Sequence, residues 1–139
     1  MIRKTLLLSA TLGLVLPLAC DPDDDDTGGG DTEGTDGVPA EYAGKTNPVD
    51  GDSAAIASGM TQYDALCASC HGATGAGDGA SGMGSMPPPT DFTATTGQAD
   101  DYMLWTISDG IMGTTMGAYK GSKTEAEILE IVAYVRTLQ

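Results

Sequence analysis

Cys67-Ala68-Ser69-Cys70-His71 is the stretch that decides how this chain folds. Cys-x-x-Cys-His is the pattern through which two cysteines attach a haem by thioether bonds. On one helical turn, positions 67, 70 and 71 share a face, so both sulfurs can meet a porphyrin edge while the imidazole reaches iron. Few rival explanations survive, because His71 is the only histidine in 139 residues and the cysteines number three. A structural zinc site takes four ligands, and Cys67, Cys70 and His71 supply at most three. A thioredoxin-like dithiol needs a βαβ surround, and no segment here alternates like a buried strand. The motif predicts one covalent haem c, with Cys67 and Cys70 as its thioether positions and His71 as an axial ligand of the iron.

Upstream, residues 1–19 read as a signal peptide. Arg3 and Lys4 give a positive start, and Thr5 to Leu18 form an apolar run too short to span a bilayer comfortably. Leu16-Pro17-Leu18-Ala19-Cys20 resembles the end of a bacterial lipoprotein signal, in which a small residue precedes the lipid-bearing cysteine, with Pro17 standing where such signals carry leucine. Cys20 is therefore the expected lipid attachment site; an incidental free thiol in an exported chain is the alternative. The expected location is the periplasmic side of a bacterial membrane, held by that anchor. Residues 20–51 then read as the anchor cysteine and a tether. Positions 21–51 hold ten acidic residues and one basic one, Lys45, with the runs Asp23 to Asp26 and Gly28 to Gly30. Such a composition predicts a disordered leash stretched by like-charge repulsion.

The whole chain carries a formal charge of −14, and residues 52–139 set ten acids against Lys120, Lys123 and Arg136. Nucleic acid is excluded as a partner, since neutralising phosphates takes clustered Lys and Arg. A redox protein with a basic docking patch fits the charge, steered by a field that salt screens. Residues 52–139 contain only six aromatics, a small core on its own. The porphyrin is expected to be its centre, and the chain lacking it to be largely unfolded.

Three helices are expected. The first runs from about Asp52 or Ser53 to Cys70, with Gly59 marking close approach of another helix. The second spans about Gln98 to Ser108, with Asp100 or Asp101 in its first turn, Gly110 at its end, and Trp105 either against the haem or in plain core. The third starts from the capping box Thr124-x-x-Glu127 and carries Ile128, Ile131, Val132, Val135 and Leu138 at helical spacing. Tyr63 or Gly59 is the expected neighbour of Tyr134. Between the first two helices, Gly72 to Gly84 holds six glycines in thirteen residues and reads as a loop around the porphyrin edge. Pro87-Pro88-Pro89 then imposes extended backbone without N–H donors. The carbonyls of Met86 to Pro89 are candidates to accept the second ring N–H of His71.

The second axial position sets the class of protein. No other histidine exists, and thioether sulfur suits iron while raising its potential. The candidates are Met83, Met86, Met103, Met112 and Met116; Met60 lies before the motif and is poorly placed to cross the ring. Met83 and Met86 follow His71 by only twelve and fifteen residues, and Met103 reads as helix core. Met116 has forty-five residues in which to travel round the ring and sits in a loop between two helices.

Residues 52–139 resemble a class I cytochrome c of the small bacterial, single-haem kind. The matching pieces are Gly59-x-x-x-Tyr63, Cys67-x-x-Cys70-His71-Gly72, Gly75-x-Gly77-Asp78-Gly79, Pro87-Pro88-Pro89-Thr90-Asp91-Phe92, Ile107-Ser108-Asp109-Gly110-Ile111 and Ile131-Val132-Ala133-Tyr134-Val135-Arg136. The resemblance implies an all-α fold whose N- and C-terminal helices pack across each other around one haem c. It also implies that Met116, in Gly113-x-x-Met116, is the sixth ligand, with Gly117 in place of the family's usual proline. A His71/Met116 haem leaves no open coordination site, so the expected role is one-electron transfer between extracytoplasmic partners across an exposed haem edge. No separate acid, base or nucleophile constellation argues for an enzyme. The other readings are a dedicated haem subunit of a membrane oxidoreductase complex, and a haem with a labile sixth ligand used in catalysis or sensing. The expected state is a monomer or one subunit of a larger complex.

Overall fold

A computed structural model describes residues 37–139. The expected signal peptide, the lipid site Cys20 and the acidic run up to Asp36 lie outside the described residues. Four helices follow one another among the described residues: α1 (Ser53–Leu66), α2 (Ala68–His71), α3 (Asp100–Asp109) and α4 (Glu125–Arg136). No strand occurs among the described residues, in keeping with the all-α expectation.

Each boundary has a local cause. The Asp52 carboxylate accepts from the backbone N–H groups of Ala54 and Ala55 at 3.0 and 2.8 Å, satisfying two donors that the first turn of α1 leaves open. The expected single helix to Cys70 breaks at Cys67. There the amides of Cys70 and His71 both turn to the Cys67 carbonyl, so α2 is one separate tight turn. Gly72 closes it at φ 82°, a conformation that side chains resist. Asp100 and Asp101 occupy the first turn of α3, where negative charge favours the helix dipole, and Gly110 ends it. Thr124 and Glu127 form the reciprocal capping box of α4.

The terminal helices α1 and α4 cross with backbones close together, because Gly59 faces the Glu130 carbonyl with no side chain between them. Beside the crossing, the Tyr63 and Tyr134 rings pack 5.2 Å apart at 60°. Ser58 Oγ and Gln62 Nε2 both donate to the Glu130 carboxylate, at 2.6 and 2.9 Å. Tyr63, Met103, Ile131, Val132, Tyr134 and Val135 make the first apolar cluster, with Cys67 and Phe92 against it. At about 1.5–3 kcal/mol for each large side chain fully buried, such clusters are the main source of stability.

A second cluster lies on the far side of α3 and α4, and it corrects the expected boundary at residue 52. Val38 and Tyr42, 3% and 4% exposed, pack there with Leu104, Ile128 and Leu129, and Val49 adds to it. The segment 38–51 is thus a folded strap and part of the domain. Its polar groups are satisfied by the helices: Gly44 N–H donates to Asp101, Asn47 N–H to Asp100, and Asn47 Nδ2 to the Leu129 carbonyl, each at 2.8–2.9 Å. Lys45 pairs with Glu125 at 2.7 Å. The Asp-, Gly- and Pro-rich composition hides three apolar residues that seal a face of α3 and α4. Trp105 packs against this second cluster, so its place is plain core. No helix among the described residues is long and apolar enough to cross a membrane.

Candidate functional site

An open cavity of about 190 Å³ lies over α2, and Cys67, Cys70, His71 and Met116 all line it. Pro87 to Thr90, Phe92, Met103, Ile107, Tyr119 and Val135 complete most of the wall. Asp, Glu, Lys and Arg are absent from its lining residues. Neither Cys67 nor Cys70 is in a disulfide. Burial, together with the neighbouring Cys70, pushes the Cys67 thiol up to about 11.

His71 is held by two contacts. Its Nδ1–H donates to the Thr90 carbonyl at 3.1 Å, which directs the other ring nitrogen away as the free donor. The expected acceptors, Met86 to Pro89, are not used. The Pro89 carbonyl instead faces Gly77, closely enough that a Cβ at Gly77 would overlap it. The first carbonyl beyond the prolines therefore reaches the ring. Phe92 stacks on the imidazole with centroids 4.8 Å apart and planes 16° from parallel. Phe92 N–H donates to the Gly75 carbonyl at 2.7 Å. Asp91 organises the turn by accepting from Thr93 and Ala94. Those hydrogen bonds, the Thr93 hydroxyl foremost, hold its carboxyl below the usual range.

The glycine-rich stretch does not wrap the cavity as expected. Gly77, Gly79 and Ser81 donate their N–H groups to the carbonyls of His71, Cys70 and Ser69 at 2.8–3.1 Å, so the loop folds back along the motif's own backbone. A Cβ at Gly79 or Gly82 would collide with the Cys70 carbonyl. The glycines serve close backbone approach. Two tyrosines fasten the motif: Tyr63 Oη donates to the Gly72 carbonyl at 2.8 Å, and Tyr119 Oη to the Leu66 carbonyl at 3.2 Å. Burial raises both phenols above their ordinary range.

Of the methionine candidates, Met83, Met86 and Met112 point outward, 76%, 85% and 100% exposed. Met103 and Met116 reach the cavity wall, Met103 from the buried face of α3 and Met116 from the loop after it. That loop is compact. Met116 N–H donates to Thr114 Oγ1 and Ile111 N–H to the Met116 carbonyl, both at 3.0 Å. A pair of thiols, an imidazole steered by a carbonyl and a thioether on one cavity is a donor set that suits covalent haem, soft sulfur and nitrogen both being ligands of its iron. The roles of Phe92 and the strap were not anticipated from the sequence. The apolar residues Val38, Tyr42 and Val49 in an acidic segment were the available signal for the strap.

The family described as cytochrome c oxidase, cbb3-type, subunit III matches residues 54–135. The cbb3-type cytochrome c oxidase subunit CcoP of Azospirillum brasilense is 34% identical over 103 residues, covering 73% of this chain and 35% of that protein. The chain thus spans about a third of the length of that relative. Among solved structures, cytochrome CL of the marine methylotroph Methylophaga aminisulfidivorans MPT superposes with a TM-score of 0.54 at 27% identity, over 66% of this chain and 60% of the other. A chain of the reducing HAO-like protein complex of Kuenenia stuttgartiensis does so with a TM-score of 0.55 at 27% identity, over 62% and 44%.

Proposed function

The chain belongs to the family of cbb3-type oxidase subunit III cytochrome c domains, and from that premise we propose that it serves as a haem c subunit passing electrons within a membrane oxidoreductase complex. It is an electron-transfer domain of class I cytochrome c type. Haem c, when bound, supplies one-electron cycling between Fe(III) and Fe(II). What supports the reading is the convergence of Cys67, Cys70, His71 and Met116 on one cavity.

Each residue has a part. Cys67 and Cys70 hold the single prosthetic group covalently. His71 is the first axial ligand, with its ring fixed by Thr90 and Phe92; Met116 is the second. The uncharged lining keeps the local dielectric low, which favours the less charged ferrous state and so a higher potential. On the cavity wall, the segments 87–90 and 111–119 contain no charged side chain. All four cations among the described residues that precede or follow them are paired with carboxylates on the strap, α3 and α4. Close contact with a redox partner is accordingly apolar, while the net negative charge attracts a partner with a basic surround from a distance. Cys20 carries the lipid, and the acidic segment after it spaces the domain from the periplasmic side of the membrane.

The test is the state of the protein in a mild-detergent extract of its native membranes. Co-migration of covalent haem with an oxidase on a native gel supports the complex. A lone monomer, still exchanging electrons, favours the second reading, a free carrier.

A further inference from the structure

The segment that carries Met116 leaves α3 at Asp109 and Gly110 and returns at Tyr119 and Lys120. Its two ends are stitched to each other: Tyr119 N–H donates to the Ser108 carbonyl at 3.1 Å and Lys120 N–H to the same oxygen at 2.8 Å. Gly110 sits at φ 73°, and a Cβ there would press into the Met116 carbonyl and the Gly117 backbone. Above this base the loop is held mostly by its own hydrogen bonds among Ile111, Thr114 and Met116, with Ser85 meeting Thr115 from outside. Gly117 has no neighbour within 4 Å of where a Cβ would stand, and the rigid ring of a proline is absent.

The strap reaches the base from outside the cavity and touches both ends. Tyr42 Oη donates to Asp109 Oδ1 at 3.0 Å, and Tyr42 itself is almost wholly buried. Lys120 Nζ lies 3.3 Å from Glu41 Oε1 and 3.5 Å from Asp109 Oδ1, and stands 5.5 Å above the Tyr42 ring. A buried ring with an oriented hydroxyl thus joins the outgoing and returning ends of one loop. The exposed ion pairs alone would contribute little; the buried ring and its hydroxyl are what make the contact specific.

We propose that Tyr42, with Glu41, is a positioning residue for the sixth-ligand loop, holding Asp109 and Lys120 so that the Met116 sulfur stays on the iron. This rests on the reading of Met116 as that ligand. An added ligand such as imidazole binds ferric haem only when Met116 is off, so its apparent affinity reports the population of that state.

The experiment uses the matured, haem-loaded chain and titrates imidazole into the oxidised form of Tyr42→Phe, Tyr42→Ala and Asp101→Ala. The last removes the strap contact of Gly44 at the opposite end of α3 from the loop. Tyr42→Ala is expected to bind imidazole about tenfold more tightly than the unaltered chain, and Tyr42→Phe about threefold, with Asp101→Ala unchanged. A lowered reduction potential is expected to accompany the tighter binding. Equal affinity in all four proteins would overturn the proposal, as would an equal rise in Asp101→Ala. If Tyr42→Ala does not mature, Tyr42→Phe, which loses one hydroxyl, decides by itself. Met116→Ala separates the two inferences: if it leaves the methionine-to-iron absorption band intact, Met116 is not the ligand and the strap has no such role. If it abolishes the band and Tyr42→Phe binds imidazole like the unaltered chain, the strap inference alone falls.

Discussion

Gly59 of α1 lies directly against the Glu130 carbonyl of α4, with no space for even a methyl group between the two backbones. The contact sets how closely the first and last helices approach, and so how Tyr63 meets Tyr134 beneath the haem motif.

Gly59→Ala tests it. Alanine favours a helix interior over glycine by about 1 kcal/mol, yet the added Cβ must push α4 away along a rigid backbone. The overlap is expected to dominate, for a net loss of about 1–3 kcal/mol, in the range of overpacked cores. Chemical unfolding of the haem-loaded protein measures it.

Met116 and Met112 are four residues apart in one loop, and only Met116 lines the cavity. Met116→Ala should abolish the methionine-to-iron charge-transfer band of the oxidised protein. Met112→Ala should leave it unchanged. A band that survives the first change and is lost in the second would reassign the ligand.

Asp100 joins three parts of the molecule. Burial raises its carboxyl, but the Arg136 guanidinium at 2.6 Å and the Asn47 N–H outweigh it and bring the value below the usual carboxylate range. A carboxyl depressed in the folded state stabilises the fold above its unfolded value of about 3.9, and that contribution disappears as the pH falls through the lower folded value. Acid unfolding of Asp100→Asn should therefore lack part of the pH dependence below about 4 that the unaltered chain shows. Identical pH profiles would contradict the assignment.

Asn47 is the strap's buried polar anchor, donating from Nδ2 to the Leu129 carbonyl and accepting the Val49 N–H at Oδ1. Asn47→Ala leaves those groups without their partner and should cost about 1–3 kcal/mol. Protease sensitivity between residues 38 and 51 should rise before global unfolding. No change in sensitivity would mean that the apolar residues alone hold the strap.

The linear order of residues was enough to specify the haem motif, because three donors within five residues need only one helical turn to converge. It was also enough for α4, where a capping box and an apolar stripe act within a few residues of one another, and for the close approach at Gly59. Other features depend on groups far apart in the chain. Thr90 was one residue beyond the expected acceptors, because the fold turns the Pro89 carbonyl to Gly77. The glycine loop doubles back on Ser69-Cys70-His71 because its own N–H groups find carbonyls there, a pairing that composition does not encode. The strap reads as solvated spacer until Leu104, Ile128 and Leu129 are assembled into a face for Val38 and Tyr42 to cover. Local hydrogen bonding and helical periodicity are written in neighbouring residues; burial is decided by what the rest of the folded chain brings alongside.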